Sequence, residues 1–160
     1  MRIGIGYDAH RLKAGRPLVL GGVTIPYEQG LWGHSDADVL CHALADALLG
    51  AAALGDIGRF FPDSDPALSG VSSLLLLGRV EQMLHREGWR ILNVDSVIIA
   101  EKPRLAPYTE EMRGQVAAVL RLPNTAVSIK ATTTEGLGFC GAEQGMAAQA
   151  VALIEDRKDD

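Results

Sequence analysis

The segment from residue 35 to about 53 constrains the fold most, because it predicts a helix that is apolar on nearly every side. Val39, Leu40, Cys41, Leu44, Ala45, Ala47, Leu48 and Leu49 cover most of its surface. Such a helix has no face to give to water and must be enclosed by other elements. Its polar residues, Asp38, His42 and Asp46, recur every fourth position and form one stripe. Buried carboxylates without partners are costly, so the stripe must face something that rewards polarity, a metal or a bound ligand. Ser35 is the expected N-cap, with Asp38 three residues on giving a weak capping box.

The remaining pattern supplies the enclosing elements. A strand is predicted over 2–8, and Leu18–Leu20 and Val23–Ile25 flank Gly21-Gly22 as a hairpin. Tyr27 to Gly33 reads as loop. A second helix is expected over 71–87, with Leu74, Leu75, Val80, Met83 and Leu84 inward and Gly88 as its stop. A strand follows over 89–100, a third helix over about 107–121 opened by Pro107, and an alternating strand over 127–132. Thr132 to Gly138 is a polar loop. Residues 145–154 are ambiguous, since alanine favours helix while a weak alternation favours strand. This mixture predicts an α/β fold of the α+β type, one domain with a mixed sheet packed by helices. The domain is expected to span 1–157; the charged residues from Glu155 to Asp160 read as a frayed tail, of which 158–160 lie beyond the domain.

A second pattern meets the polar stripe. Asp8 and His10 stand two apart after a short apolar run, and His42 follows thirty-two residues after His10. A carboxylate and two imidazoles converging on one point would make a three-ligand metal site. Zinc suits that donor set, and three protein ligands leave a fourth tetrahedral position for a substrate oxygen or water. The plainer alternative is a turn carboxylate and two ordinary histidines.

Composition excludes several partners. The net charge is −5 and no basic patch stands out, which argues against nucleic acid. Anionic substrates remain compatible, because metal ions can bring the positive charge. Cys41 and Cys140 have no spacing of a disulfide framework or zinc ribbon, so a reducing compartment is expected. The N-terminus turns polar too quickly for a signal peptide, and no stretch of 18 apolar residues predicts a membrane span. A cytoplasmic protein is the expectation.

Four motifs in order now carry a resemblance. Gly-Tyr-Asp8-Ala9-His10, His34-Ser35-Asp36-Ala37-Asp38, Asp56-Ile57-Gly58 with Phe61-Pro62-Asp63, and Ala131-Thr132-Thr133-Thr134-Glu135 with Leu137-Gly138-Phe139 resemble the 2-C-methyl-D-erythritol 2,4-cyclodiphosphate synthases of the non-mevalonate isoprenoid pathway. The likeness covers residues 2 to about 154. It implies a homotrimer with active sites between neighbouring subunits, and a strand over 145–154. It implies a phosphorus–oxygen lyase acting on 4-diphosphocytidyl-2-C-methyl-D-erythritol 2-phosphate. The 2-phosphate attacks the β-phosphorus, CMP leaves, and a cyclic diphosphate forms. Such a reaction needs positioning and cations more than a covalent nucleophile.

The resemblance also implies roles. Asp8, His10 and His42 hold zinc, and Glu135 holds a magnesium or manganese ion on the substrate diphosphate. His34 and Thr133 stabilise the transition state, with Ser35 beside them at the expected helix N-terminus. Asp56, Ile57 and Gly58 bind the methylerythritol hydroxyls, while Phe61, Pro62, Asp63, Ser64 and Asp65 form another contacting loop. Ser64 and Asp65 could equally serve the turn alone. Ala100, Pro103, Arg104, Leu105, Ala106 and Thr132 surround the cytidine, with Arg104 where lysine is common. Ala9 and Phe139 complete the set of expected substrate contacts. Asp46 is a candidate partner for His42, an ordinary buried hydrogen bond being the alternative.

One departure matters. Relatives often carry Arg-Gly-Glu where this chain has Ala142-Glu143-Gln144. That arginine lines an axial cavity able to hold an isoprenoid diphosphate, so this anion-binding role is in doubt here. Two rival readings follow. A zinc-dependent phosphohydrolase could use the same ligands with bound hydroxide. A non-catalytic isoprenoid-binding trimer would have no need of two metals.

Overall fold

A computed structural model describes residues 1–157; the expected tail at 158–160 lies outside the described residues. The main sheet has five strands in the order β4-β1-β7-β5-β6. They are β1 (Arg2–Ala14), β4 (Gln29–Leu31), β5 (Trp89–Ile99), β6 (Val127–Thr132) and β7 (Gly145–Asp156). β7 lies antiparallel to both β1 and β5, and only β5 and β6 run parallel. The sheet is therefore mixed, as the residue pattern requires. β2 (Leu18–Leu20) and β3 (Val23–Ile25) form the separate hairpin at Gly21-Gly22. Both glycines have positive φ, 57° and 76°, the conformation of a two-residue primed turn.

The apolar helix is α1 (Val39–Ala51), and it is enclosed as its composition demands. It lies on one face of the sheet through a close backbone contact. A Cβ on Gly4 would fall 1.9 Å from the Ala47 carbonyl oxygen, and one on Gly6 1.9 Å from that of Ala43. The small residues of the strand thus meet the small residues of the helix with no side chain between them. Because strand side chains alternate, Asp8 and His10 share the face of Gly4 and Gly6 and point toward α1. The opposite face leaves Ile3, Ile5 and Tyr7 exposed, beside Val151, which pairs with Ile5.

α2 (Ile57–Phe60) is a single turn, α3 (Ser73–Arg86) and α4 (Thr109–Leu120) complete the helical layer, and α5 (Gly138–Gly141) precedes β7.

Several elements differ from the sequence reading. Asp38, not Ser35, is the N-cap of α1, accepting from the Cys41 amide. Asp38 also accepts from the Gly21 and Gly22 amides at 3.0 and 2.8 Å, so its buried carboxylate fastens the hairpin to the helix instead of facing a ligand. The loop at 27–33 contains β4, whose three residues pair with the end of β1. β1 runs to Ala14, well past residue 8, because β4 and β7 supply partners. Leu75 points outward and is 60% exposed, while Leu76 and Leu77 turn inward. Pro107 lies in a short 3₁₀ turn, and α4 begins only at Thr109. Glu155 and Asp156 belong to β7 and Glu155 pairs with Arg90, so they are not tail. Residues 145–154 are strand, as the resemblance implied, because alanines fit where β7 is covered on its α1 side.

Candidate active site

Asp8, His10 and His42 meet at one point. Asp8 Oδ2 lies 2.9 Å from His10 Nε2 and 3.0 Å from His42 Nδ1, and the two nitrogens are 3.2 Å apart. Donors about 2.0–2.1 Å from a tetrahedral zinc ion stand roughly 3.3 Å from each other. The triangle is thus close to the size that this ion requires. The ring contacts agree. His10 Nδ1 is 2.9 Å from the Trp32 carbonyl, which can only accept, so that nitrogen carries a proton and Nε2 is left as the ligand. His42 turns Nε2 to the Ser73 hydroxyl at 2.9 Å, leaving Nδ1 at the centre. The donor set fits a zinc ion.

Electrostatics fit the same use. Burial acts to raise the Asp8 pKa, but hydrogen bonds and charge from His10 and His42 outweigh it and hold the carboxyl well below the ordinary range. Burial acts to lower the His10 pKa, yet Asp8 and the Trp32 carbonyl raise it overall. Asp8 is therefore an anion that gathers positive charge, proton or metal.

These groups open into a cavity of about 330 Å³ that also takes in His34, Ser35, Ile57, Gly58, Phe61, Pro62 and Asp63. Leu68 and Leu76, which the motifs did not indicate, close its apolar wall. His34 donates Nε2–H to the Asp65 carbonyl at 2.9 Å. Ser35 is not a cap; its hydroxyl lies 3.3 Å from His42 Nε2 and accepts from the Ala37 amide. Arg16, also missed in the sequence, grips this loop by donating to the Gly33 and Ser35 carbonyls at 3.2 and 2.9 Å.

The neighbouring turns serve two ends. Asp56 caps α2 through Oδ1. Asp46 accepts from the Ile57 amide at 2.7 Å, so it is an anchor for this wall and not the partner of His42. Asp65 caps a 3₁₀ turn through the Ala67 amide, as a turn residue would. Ser64 lies exposed in the turn just before it.

A second hollow, of about 280 Å³, is lined by Ala100, Pro103, Arg104, Leu105, Ala106, Thr132 and Thr133. Glu101 borders it too, and its Oε1 accepts from the Thr134 amide at 2.9 Å, the Thr134 hydroxyl at 3.2 Å and the Gly136 amide at 3.4 Å. Glu135 stands on this loop in a left-handed conformation (φ 53°), with its carboxylate 3.3 Å from the Thr133 hydroxyl. Ala9 and Phe139 line a third hollow, of about 270 Å³.

The triad cavity and the second hollow are not adjacent in one chain. Ala9, Ala147, Ile99 and Thr132 stand in register across β1, β7, β5 and β6. Three strand spacings, roughly 14 Å, therefore separate the strand of the triad from that of the second hollow.

Known proteins resemble this chain over nearly its whole length. The description of the YgbB family matches residues 1–155. A 2-C-methyl-D-erythritol 2,4-cyclodiphosphate synthase of Syntrophomonas wolfei is 63% identical over 155 residues, covering 97% of this chain and 99% of its own. A solved 2C-methyl-D-erythritol-2,4-cyclodiphosphate synthase in a CDP-bound form superposes with a TM-score of 0.88 at 39% identity, over 96% of this chain and 100% of that one. The bifunctional IspDF of Campylobacter jejuni gives a TM-score of 0.93 at 39% identity; 98% of this chain covers 43% of that longer one.

Proposed function

The chain belongs to the YgbB family, and from that premise we propose that it converts 4-diphosphocytidyl-2-C-methyl-D-erythritol 2-phosphate to 2-C-methyl-D-erythritol 2,4-cyclodiphosphate with release of CMP. The observation that carries this reading is the triangle of ligand atoms on Asp8, His10 and His42 opening into the cavity. An oxygen of the 2-phosphate forms a bond to the β-phosphorus. The bond from that phosphorus to the oxygen bridging to the α-phosphate breaks, and the electron pair leaves with CMP.

Zinc at the triad and magnesium or manganese at Glu135 would supply positive charge to the phosphoryl oxygens. The chain's own residues do the rest. Phe61, Pro62, Leu68 and Leu76 exclude water around the methylerythritol. Asp56 uses one oxygen for its helix cap, and its other oxygen serves a substrate hydroxyl. His34 and Thr133 bear on the phosphates from the two sides. In the second hollow, the backbone of residues 100–106 reads the cytosine and Arg104 brings charge to the departing CMP. Ala9 and Phe139 border the substrate on the β1 side.

A complete site takes the triad of one subunit and the second hollow of its neighbour, within a homotrimer. The separation of the two cavities and the exposed Ile3, Ile5 and Tyr7 support that assembly. Residues 1–157 act as one catalytic unit. Two unpaired buried cysteines support a cytoplasmic setting, and no helix among the described residues could cross a membrane.

The test is turnover in water labelled with oxygen-18. Ring closure yields CMP and a cyclic diphosphate with no label. Label in a linear phosphate product would favour the phosphohydrolase reading and defeat this one.

A further inference from the structure

His42 is the metal ligand carried by α1, and its outer nitrogen enters a chain of hydrogen bonds. His42 Nε2 is 2.9 Å from Ser73 Oγ, at the first residue of α3. Ser73 Oγ makes a short hydrogen bond to Asp36 Oδ1. A carboxylate can only accept, so the serine hydroxyl must donate to Asp36. Its lone pairs then face His42 Nε2, which must be the protonated nitrogen. That leaves Nδ1 bare and aimed at Asp8 and His10. Asp36 is fixed in turn, since Oδ2 accepts from the Ser73 amide at 3.1 Å and Oδ1 from the Asp38 amide at 3.2 Å. Ser73 is fully buried, and His42 is mostly so, which shelters the chain from water. Ser35 Oγ sits 3.3 Å from both His42 Nε2 and Ser73 Oγ, a longer and secondary contact.

We propose that Asp36 and Ser73 are positioning residues that hold His42 as an Nδ1 ligand through a His42–Ser73–Asp36 relay, in which Ser73 Oγ accepts a hydrogen bond from His42 Nε2–H and donates its own to Asp36. This inference rests on the metal reading of Asp8, His10 and His42. Asp36 acts at a distance from the metal by fixing the direction of the serine hydroxyl. Asparagine in its place offers one acceptor oxygen where the aspartate offers two. Either the Ser73 hydroxyl or the Ser73 amide then meets an amide donor, so the side chain no longer holds both groups of Ser73 at once.

The test measures zinc affinity by competition with a chelator, for the wild type, Asp36→Asn, Ser73→Ala and the double variant. Each single variant is expected to bind zinc roughly 10–100-fold more weakly, the usual range for groups behind a ligating histidine. The double variant is expected to be no weaker than the worse single one, because the two residues form one chain. In the zinc-loaded wild type, the His42 Nε2 proton should exchange slowly with solvent by nitrogen-15 NMR, and quickly in both single variants. Zinc binding within about twofold of wild type in both variants, or losses that multiply in the double variant, would overturn the relay. Unchanged exchange of the Nε2 proton would do so as well, even where affinity falls through a general loss of packing. A wild type that takes up no more zinc than His42→Ala would overturn the metal reading itself, and the relay with it.

Discussion

The two cavities are built from different materials. The triad cavity draws its chemistry from side chains on β1 and α1, whose mutual position is set by backbone contact at Gly4 and Gly6. The second hollow is mostly backbone and loop, and the half-buried carboxylate of Glu101 helps to tie its Thr-Thr-Thr-Glu segment in place. One region is rigid because the core cannot relax around it. The other is held by hydrogen bonds that water can replace. A chain can thus keep the Asp8, His10 and His42 triad preformed while its other hollow adapts to what it binds.

Gly6→Ala should break that distinction most severely. The new Cβ would meet the Ala43 carbonyl, a backbone atom with nowhere to move. A loss of about 3 kcal/mol is expected, the upper end for overpacking, or roughly 6–12 °C in melting temperature. Zinc capacity should fall with it, because α1 must lift His42 away from Asp8. Zinc binding at wild-type strength in this variant would show that helix–strand contact does not set the triad.

Glu135→Ala should act on the opposite side alone. CMP release is expected to drop roughly 100-fold with a raised magnesium requirement, while bound zinc stays equimolar. Unaltered magnesium dependence would remove this residue from the second ion's shell.

A smaller effect is expected of Glu101→Ala. Turnover should fall roughly three- to tenfold, and peptide bonds in 133–137 should become easier to cleave by protease. Equal cleavage of both proteins would mean that the loop is held by something else.

The mildest test is titration of the metal-free protein. His10 has a raised pKa in the folded state, so its contribution to stability is complete below its ordinary value of about 6.5. That contribution is lost as pH rises through the raised value. Melting temperature should decline across this interval in the wild type and decline less in Asp8→Asn, which lacks the partner charge. A decline equally steep in Asp8→Asn would detach the effect from the triad.

The difference between the two regions also explains what was legible in the sequence. Periodicity places residues on regular elements, so the helix around His42, the strand as far as Asp8, and the hairpin at Gly21-Gly22 could be read directly; the stretch of β1 that carries His10 could not. The tie from Asp38 to the hairpin could not, because its partners at Gly21 and Gly22 are distant along the chain. β4 escaped notice since three residues show no alternation and gain their pairing only from the end of β1. Ser73, Arg16 and Glu101 were missed for a shared reason. Each supports the site by reaching a partner far along the chain, and such pairings leave no period in a sequence.

The proposed sharing of each site between subunits, across the register line from Ala9 to Thr132, has a genetic consequence. Two lesions on opposite sides of it, one removing His42 and the other Thr133, would strike different halves of a shared workplace. Coexpressed, such defective alleles could rescue one another in a mixed ring, where a sound half from each meets the other. Two alleles damaged on the same side could not.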